Sequence, residues 1–319
     1  MKILADIKKI AVLGAGTMGP GIAQTFAMGG YQVTMWTRSE STRDKAIASL
    51  ESQLNTFAEE GLLSEDKAAI MARISFASTV EEAVAGADFI QETIVEKKDA
   101  KEELYAQLAA CVPSDVIIAS NTSALNIFEV VPEQLLPQMI ICHWYAPPHV
   151  IPLVEVVKSE QAPQEFADIA VTMLNNCGKT AVLMKKFIRG YIVNRLQQCL
   201  NQEVFYLLDN GYCDAEAIDL AAKASFIPRA CVLGLCKRMD FGGVDMTYNN
   251  FKNKSYAAPQ WDNPPTTLVD LVEANKLGIK TGEGFYSYEG VDMEALKAKR
   301  DKQLFEIFNV TKKFMADPV

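Results

Sequence analysis

The first half of the chain alternates short runs of aliphatic residues with longer amphipathic segments. The short runs predict strands, since β-branched and aliphatic residues between turn residues are typical of buried strands. They are Ile7–Leu13, Gln32–Trp36, Phe89–Thr93, Val116–Ser120, Met139–Cys142, Leu153–Val157 and Thr180–Leu183. Between most of them, apolar residues recur every three to four positions and predict helices, as in Lys98–Cys111 and Gln164–Cys177. This alternation predicts an α/β Rossmann-type, doubly wound sheet with mostly parallel strands.

The strand signals end near residue 188, and the rest of the chain has a helical pattern. Gly190–Leu208 predicts a long helix, Asp214 predicts the N-cap of the next one, and Met293–Met315 predicts the last. We therefore predict a Rossmann domain over residues 1–187. A smaller all-α domain over 188–290 and a helical extension over 291–319 would follow it.

Composition and charge restrict the classes of partner. The 319 residues include 40 acidic and 31 basic ones, for a formal net charge of −9. Nucleic acids and anionic membranes attract basic surfaces, so neither partner is expected. No apolar run approaches the roughly 18 residues of a membrane span, and charges interrupt the first nine residues too early for a secretory signal.

The cysteines and histidines point to a reduced compartment and to chemistry without a metal. Seven dispersed cysteines with no C-x-x-C pair predict free thiols and a cytoplasmic protein. Only two histidines are present, which leaves little material for a zinc site built from His and Cys. We expect no metal cofactor.

A glycine-rich turn follows the first predicted strand and precedes a helical pattern. It reads Gly14-Ala15-Gly16-Thr17-Met18-Gly19, a G-x-G-x-x-G spacing in a strand–turn–helix context. The first glycine permits a tight turn, the second lets the backbone approach a pyrophosphate, and the third permits close helix–strand packing. This turn predicts a dinucleotide site that includes the backbone of Thr17 and Met18.

The end of the second strand bears on which dinucleotide is bound. NAD sites usually place an acidic residue there for the ribose hydroxyls, but this chain has Thr37 and Arg38. Arg38, with help from Arg43, would match the charge and geometry of a 2′-phosphate. Alternatively, Arg38 stacks on adenine or faces solvent. The sequence favours NADP(H) and leaves NAD(H) open.

A histidine and a glutamate are the candidate acid–base pair. His143 ends a predicted strand, and Glu155 lies twelve residues later inside the next apolar run. A carboxylate in such a run is costly to bury without a partner. A strand reversed through the Pro147–Pro148 loop would bring the two side chains together. The carboxylate would then orient the imidazole, which could exchange a proton with an alcohol or a ketone.

Six motifs occur in the order that is typical of the 3-hydroxyacyl-CoA dehydrogenase family. Through them the chain resembles that family over roughly residues 7–290. Beside the glycine turn and the span from His143 to Glu155, four further segments carry the resemblance. They are Glu92-Thr93-Ile94-Val95-Glu96, Ser120-Asn121-Thr122-Ser123, Gly190-Tyr191-Ile192-Val193-Asn194-Arg195 and Lys280-Thr281-Gly282-Glu283-Gly284-Phe285-Tyr286.

The resemblance implies a homodimer, with an NAD(P)-binding domain followed by a helical dimerisation and substrate domain. It implies that His143 is the acid/base and that Glu155 orients it. Ser123 and Asn194 would bond the substrate's reacting oxygen or carbonyl. Three residues would border the nicotinamide end: Glu96, Lys101 and Asn121.

Some segments depart from the family pattern. After its histidine the family generally continues Phe-Phe-Asn-Pro, whereas this chain reads Trp144-Tyr145-Ala146-Pro147. The stretch Pro147–Glu155 is similar to the branch of lambda-crystallin and L-gulonate 3-dehydrogenase. Within Leu50–Arg73, where acyl-CoA enzymes often display lysines, the chain has Glu59 and Glu60. Acidic residues disfavour the polyanionic coenzyme A.

The sequence therefore predicts an NAD(P)-dependent oxidoreductase of the 3-hydroxyacyl-CoA dehydrogenase type. It would move a hydride between nicotinamide and the C3 hydroxyl or ketone of a 3-hydroxybutyryl-like substrate in fatty acid metabolism. A free 3-hydroxy acid, as in L-gulonate oxidation, is the alternative substrate. A non-catalytic, crystallin-like protein and a cofactor-binding redox sensor are the alternatives from other classes.

Overall fold

A computed structural model describes residues 3–254 and 258–319. Met1 and Lys2, at the start of the first predicted domain, and Ser255, Tyr256 and Ala257, inside the second, lie outside the described residues. The chain forms two compact units, of which the first ends at Ile192 and the second starts at Val193.

The first unit is built on one eight-stranded sheet. Its strand order is β3-β2-β1-β4-β5-β6-β7-β8, and every neighbouring pair is parallel except β6 and β7. The strands are β1 (Lys9–Leu13), β2 (Gln32–Trp36), β3 (Ile74–Ala77), β4 (Phe89–Glu92), β5 (Ile117–Ser120), β6 (Met139–Trp144), β7 (Leu153–Lys158) and β8 (Thr180–Leu183).

Helices cover both faces of this sheet, as the doubly wound prediction requires. Successive β1 residues belong to different apolar cores: Ile10 and Val12 pack on one face, and Ala11 and Leu13 on the other. The helices are α1 (Gly19–Met28), α2 (Glu40–Glu59), α3 (Lys67–Met71), α4 (Val80–Val84), α5 (Lys98–Cys111) and α6 (Gln164–Asn176). Most of the predicted site residues lie at or just after the carboxyl ends of the strands in this sheet.

All seven predicted strands are present, but one strand was missed. Ile74–Ala77 forms the edge strand β3 beside β2, and each of its residues is partly or fully exposed. A short edge strand buries little apolar surface, so its sequence lacks the continuous run that marks the inner strands.

The second unit is helical. Its helices are α7 (Val193–Asp209), α8 (Ala215–Ala221), α9 (Ile227–Leu233), α10 (Leu235–Gly242), α11 (Val244–Lys252), α12 (Thr266–Glu273) and α13 (Met293–Ala316), with a π-helical turn at Ala222–Phe226. Asp214 caps α8, as predicted, and accepts a hydrogen bond from the N–H of Ala217 at 2.8 Å. No described residue after Ile192 is buried in the single chain.

The units divide five residues later than the predicted boundary at residue 187. The long helix predicted from Gly190 starts at Val193, because Gly190 (φ 81°) and Tyr191 (φ 50°) adopt left-handed backbone conformations. Tyr191 is buried, and its hydroxyl donates to the carbonyl oxygen of Thr122 at 2.6 Å. These contacts hold residues 188–192 in the first unit.

Candidate active site

The glycine turn after β1 has the geometry of a pyrophosphate loop. Gly14 has φ 119°, and a Cβ there would lie 2.5 Å from the carbonyl oxygen of Thr93. A Cβ on Gly19 would lie 2.0 Å from the carbonyl oxygen of Gly14. By contrast, a Cβ on Gly16 would meet no described atom within 4 Å. The first and third glycines are therefore needed for packing, and the second leaves open space where a phosphate could approach the backbone.

The turn leads into α1, whose N-terminus is available to an anion. Within the described chain, no side chain caps this end of the helix; Gly16 and Thr17 are exposed and Met18 is partly buried. The unpaired N–H groups and the partial positive charge of a helix start favour phosphate binding. The residues present therefore fit a dinucleotide.

A cavity of about 300 Å³ extends from the glycine turn to the end of β2. Trp36, Thr37 and Arg38 line it, together with Thr42 in the first turn of α2. The Arg38 guanidinium forms a 3.1 Å ion pair with Glu103, and both side chains are well exposed. An exposed ion pair of this kind is weak, so it would yield to a more strongly charged ligand.

The predicted acid–base pair is in contact. His143 lies directly opposite Glu155 in the antiparallel β6–β7 ladder, and its Nδ1 is 3.1 Å from Glu155 Oε2. The imidazole is 2% exposed and the carboxylate 1%. Glu155 Oε1 accepts the backbone N–H of Ile192 at 2.9 Å. The proximity predicted from the reversed strand is thus confirmed, and both carboxylate oxygens are anchored.

Ser123 is bonded to the other nitrogen of the same imidazole. Its Oγ lies 3.0 Å from His143 Nε2, so Ser123, His143 and Glu155 form one continuous hydrogen-bonded chain. The Ser123 residue itself is exposed. Ser123 is therefore the exposed member of a chain whose other members are buried.

Glu96 shapes the turn that presents Ser123. Its Oε1 accepts hydrogen bonds from the hydroxyl of Thr122 at 2.6 Å and from the N–H groups of Ser123, Ala124 and Leu125 at 2.8–3.2 Å. Partial burial raises the pKa of Glu96, but these hydrogen bonds and the charge of Lys101 outweigh it and lower the pKa overall. Glu96 is therefore a carboxylate that holds this turn in place.

A buried polar cluster lies behind that turn, at the carboxyl end of β4. Glu92 accepts bonds from Lys101 Nζ at 2.7 and 2.8 Å and from the hydroxyls of Tyr105 and Ser120 at 3.0 and 2.6 Å. Lys101 also pairs with Glu96 at 3.3 Å. The family resemblance placed Lys101 at the nicotinamide border. In the structure its side chain is 1% exposed, and its ammonium lies between the carboxylates of Glu92 and Glu96.

Asn121, the third residue predicted to border the nicotinamide, links two strand ends. Its Oδ1 accepts the N–H of Trp144 at 2.8 Å, and its Nδ2 donates to the hydroxyl of Thr93 at 3.2 Å. Asn194 is the second residue of α7, in the second unit. Its proposed contact with the substrate stays a prediction.

Two tyrosines enclose the His143 ring, and sequence reasoning assigned a role to neither. Tyr191 stacks on the imidazole with centroids 4.4 Å apart, and Tyr145 meets it edge-on at 4.6 Å. Burial, followed by the nearby charges of Glu96 and Glu155, raises the pKa of Tyr191. Both residues lie inside segments that carry the resemblance, and Tyr145 is also a departure from the family's phenylalanine.

The loop between His143 and Glu155 is tied down by a buried lysine. Lys179 Nζ donates to the carbonyl oxygens of Pro148 and Ile151, and it lies 5.5 Å from the ring centre of Trp144. Burial lowers the pKa of Lys179 to about 7. A neutral amine keeps two N–H donors, so either protonation state can hold the loop.

Residues 3–254 and 258–319 contain neither a cluster of metal ligands nor a helix that could cross a membrane. No cluster of three or more His, Cys, Asp or Glu side chains suited to a metal was found in that part of the chain. In the same residues, no helix is both long and apolar enough to span a bilayer.

Comparison with known proteins identifies the family. The model of the 3-hydroxyacyl-CoA dehydrogenase NAD-binding domain matches residues 9–187, and that of the 3-hydroxyacyl-CoA dehydrogenase C-terminal domain matches residues 190–288. The chain belongs to the 3-hydroxyacyl-CoA dehydrogenase family. It is a nicotinamide-dependent oxidoreductase of that type.

Two curated relatives differ in the substrates their names give. The 5-formyl-3-hydroxy-2-methylpyridine 4-carboxylate 5-dehydrogenase of Mesorhizobium japonicum is 30% identical over 94% of this chain and 97% of its own length. A probable 3-hydroxybutyryl-CoA dehydrogenase of Bacillus subtilis is 34% identical over 89% of this chain and 98% of its own.

A solved structure agrees in fold along nearly the whole chain. It is a 5-formyl-3-hydroxy-2-methylpyridine 4-carboxylic acid 5-dehydrogenase, described as an NAD⁺-dependent dismutase. Its TM-score is 0.85 at 27% identity, covering 96% of this chain and 99% of that one. The cofactor named for this neighbour and for the family's first domain is NAD.

Proposed function

We propose that this protein interconverts a hydroxyl and a carbonyl group on a small acyl or carboxylic substrate, with His143 as the proton donor and acceptor. The observation that carries the proposal is the chain of hydrogen bonds from Ser123 Oγ through His143 to Glu155, in the unit that also holds the glycine turn. A hydroxyl group, an acid–base group and an orienting carboxylate are what an alcohol–ketone reaction needs from the protein.

Each residue of the proposed site has its own role in the reaction. When bound, the nicotinamide supplies or accepts the hydride. His143 Nε2 gives a proton to the carbonyl oxygen during reduction and takes it back during oxidation, while Glu155 fixes the Nδ1 side of the ring. The Ser123 hydroxyl bonds the reacting oxygen, and Glu96 holds the turn so that this hydroxyl stays beside Nε2. We propose that Asn194 donates a second hydrogen bond to the substrate.

A serine, a histidine and a glutamate in this order also form the geometry of a hydrolase triad. Acyl transfer additionally needs N–H donors for an oxyanion beside the nucleophile. The N–H groups of Ser123, Ala124 and Leu125 all donate to Glu96 Oε1 instead. This arrangement favours the oxidoreductase proposal over a hydrolase.

The first candidate substrate is a 3-hydroxyacyl-CoA of 3-hydroxybutyryl type. The family and the similarity to the Bacillus subtilis protein support it. A carboxylic acid free of coenzyme A is the second candidate. Similarity to the pyridine carboxylate dehydrogenase and the acidic end of α2, at Glu59 and Glu60, favour it.

The test is a steady-state assay that crosses NADH and NADPH with acetoacetyl-CoA, longer 3-ketoacyl-CoAs and free 3-keto acids. Turnover of the thioesters above that of the free acids supports the first candidate, and the reverse order supports the second. Cofactor binding without turnover of any carbonyl compound would contradict the proposal. It would leave the sensor and crystallin-like alternatives.

We propose NADP(H) as the preferred cofactor of this chain. Thr37 and Arg38 occupy the positions after β2 where an NAD site commonly has an acid. Behind them, the hydroxyls of Ser39 and Thr42 lie 2.8 Å apart at the N-terminus of α2, close to Arg43. Hydroxyls, guanidinium groups and a helix start are suitable donors for a 2′-phosphate.

Arg38→Asp is expected to weaken NADPH binding by about tenfold to a hundredfold, because it replaces a phosphate-pairing cation with a repelling anion. NADH binding should change by less than about threefold, since NADH carries no 2′-phosphate. Titration of nicotinamide fluorescence measures both affinities. Glu103→Gln is the matched control: it removes the carboxylate that pairs with Arg38 and should leave NADPH binding equal or tighter. Equal losses for both cofactors would reject the phosphate site.

We also propose that the second unit pairs with a second copy of the chain. Its described residues include no buried side chain, and it exposes large apolar groups such as Leu196 and Leu200 on α7 and Phe251, at 82%, on α11. A helical unit needs an apolar core to be stable, and a partner surface would complete it.

Light scattering should therefore give twice the mass of the chain. Leu196→Asp combined with Leu200→Asp should shift the protein toward monomer, because two charges would enter the apolar contact. Gln197→Asp, which adds a charge at a polar position of the same helix, is the control and should leave the mass unchanged. A monomeric native protein at micromolar concentration would refute the dimer.

A further inference from the structure

The carboxylate that orients His143 has an additional donor. The Tyr145 hydroxyl donates to Glu155 Oε2 at 2.6 Å, and this is the same oxygen that faces His143 Nδ1 at 3.1 Å. The ring of Tyr145 also packs edge-on against the imidazole, with an interplanar angle of 69°. A phenylalanine at this position would keep the ring and lack the hydroxyl.

Two donors on one oxygen compete for the same negative charge. A hydrogen bond from the hydroxyl stabilises the Glu155 carboxylate most when His143 is neutral, because an imidazolium already neutralises that charge. The hydroxyl therefore favours the state in which His143 has lost its proton. The tyrosine bond, at 2.6 Å, lies near the short end for O–H···O bonds, whereas the His143 contact, at 3.1 Å, lies near the long end for N–H···O bonds, so the share of the tyrosine is substantial.

The other groups around His143 come from several elements and do not depend on this hydroxyl. Ser123 Oγ faces Nε2, and behind it Glu96 is paired with the ammonium of Lys101. Tyr191 stacks on the ring and donates its own hydroxyl to the Thr122 carbonyl oxygen. From the end of the first unit, the Ile192 N–H holds the opposite oxygen of Glu155.

We propose that Tyr145 is a positioning residue that, by sharing Glu155 Oε2, lowers the proton affinity of His143. The effect on the imidazole follows from the geometry alone, whereas its value to catalysis rests on the proposed function. In reduction, an imidazolium that releases its proton more readily is the stronger acid toward the carbonyl oxygen.

The titration of His143 tests this without reference to activity. The chain has only His143 and His149, so the Cε1–H resonances of the imidazoles in an NMR spectrum number two, and His149→Asn assigns them. Tyr145→Phe is expected to move the His143 midpoint upward by about 0.5–1 pH unit. Tyr145→Leu, which also removes the hydroxyl, should move it in the same direction.

Two controls test whether the shift of the His143 midpoint depends on the bond between Tyr145 and Glu155. Tyr286→Phe removes another hydroxyl that donates to a carboxylate, that of Asp219 at 2.9 Å in the second unit, and should leave the midpoint unchanged. In a Glu155→Gln background, Tyr145→Phe should cause little further shift, because the shared carboxylate is gone. An unchanged or lowered midpoint in both Tyr145 variants would overturn the proposal. A shift of the same size caused by Tyr145→Phe in the Glu155→Gln background would also overturn the proposal.

A kinetic readout separates this proposal from the function on which its catalytic value rests. Reduction requires protonated His143, so kcat/KM falls as the pH rises through its pKa. In Tyr145→Phe that descending limb should move upward by the same amount as the NMR midpoint. A shifted midpoint in a protein that reduces no carbonyl compound would support the role of Tyr145 and contradict the proposed function. Turnover together with an unshifted midpoint would support the proposed function and contradict the role of Tyr145.

Discussion

Replacing His143 with Gln is expected to lower kcat/KM of the proposed reduction by about a thousandfold, within the range that general acid–base groups contribute. The glutamine amide can form hydrogen bonds from a similar position but cannot gain or lose a proton near neutral pH. Steady-state assays with NADPH and the preferred carbonyl substrate measure the loss. Cofactor affinity should stay within about twofold, since the glycine turn and the loop after β2 are unaltered.

The second histidine of the chain provides the matched control for this substitution. His149 lies in the loop between β6 and β7, where its ring packs against Phe57 with centroids 6.1 Å apart. His149→Gln makes the same chemical change outside the Ser123–His143–Glu155 chain and should retain most of the activity. If His143→Gln kept activity within a few-fold of the native protein, another group would have to carry the proton.

Lys101→Met is expected to lower the free energy of unfolding by about 3–5 kcal/mol, the usual cost of removing one partner of a buried ion pair. Glu92 is fully buried, and Lys101 supplies its cation through two bonds of 2.7 and 2.8 Å. The substitution leaves the carboxylate with the backbone N–H of Ile94 and the hydroxyls of Tyr105 and Ser120. It also removes the cation beside Glu96, so the Ser123 turn should loosen.

Urea unfolding measures this loss, with fluorescence of Trp36 and Trp144 reporting on the first unit in a Trp261→Phe background. Lys98→Met is the control, because Lys98 starts the same helix but forms only an exposed ion pair with Glu102. Adding Glu92→Gln to Lys101→Met should recover part of the stability, since the unpaired charge is then gone. A cost below about 1 kcal/mol for Lys101→Met would show that the buried pair contributes little.

The parts of the site that the sequence predicted are those that a local pattern encodes. The glycine spacing around Gly14–Gly19 reflects steric limits of a few neighbouring atoms, and it was readable before any fold was known. The contact between His143 and Glu155 was also readable. A charged residue in a buried strand needs a partner, and the strand reversal left one obvious choice.

The rest depended on contacts between distant segments. The resemblance placed Lys101 beside the nicotinamide, and nothing in its own helix reveals that its ammonium pairs with Glu92, on β4. Tyr145 and Tyr191 are ordinary aromatic residues in the sequence, and only the fold brings both onto one imidazole. The edge strand β3 was not predicted because an exposed strand lacks the continuous apolar run that is typical of inner strands.

The His143–Glu155 pair is aligned by a β-ladder rather than by the loop that joins its strands. Side chains alternate between the faces of a sheet, so slipping β7 by one residue would send the carboxylate to the opposite side. Five residue pairs, from Ile140 opposite Lys158 to Trp144 opposite Val154, hold that register. Substitutions in the segment between Trp144 and Leu153, Tyr145 aside, should therefore leave the pairing of His143 with Glu155 intact.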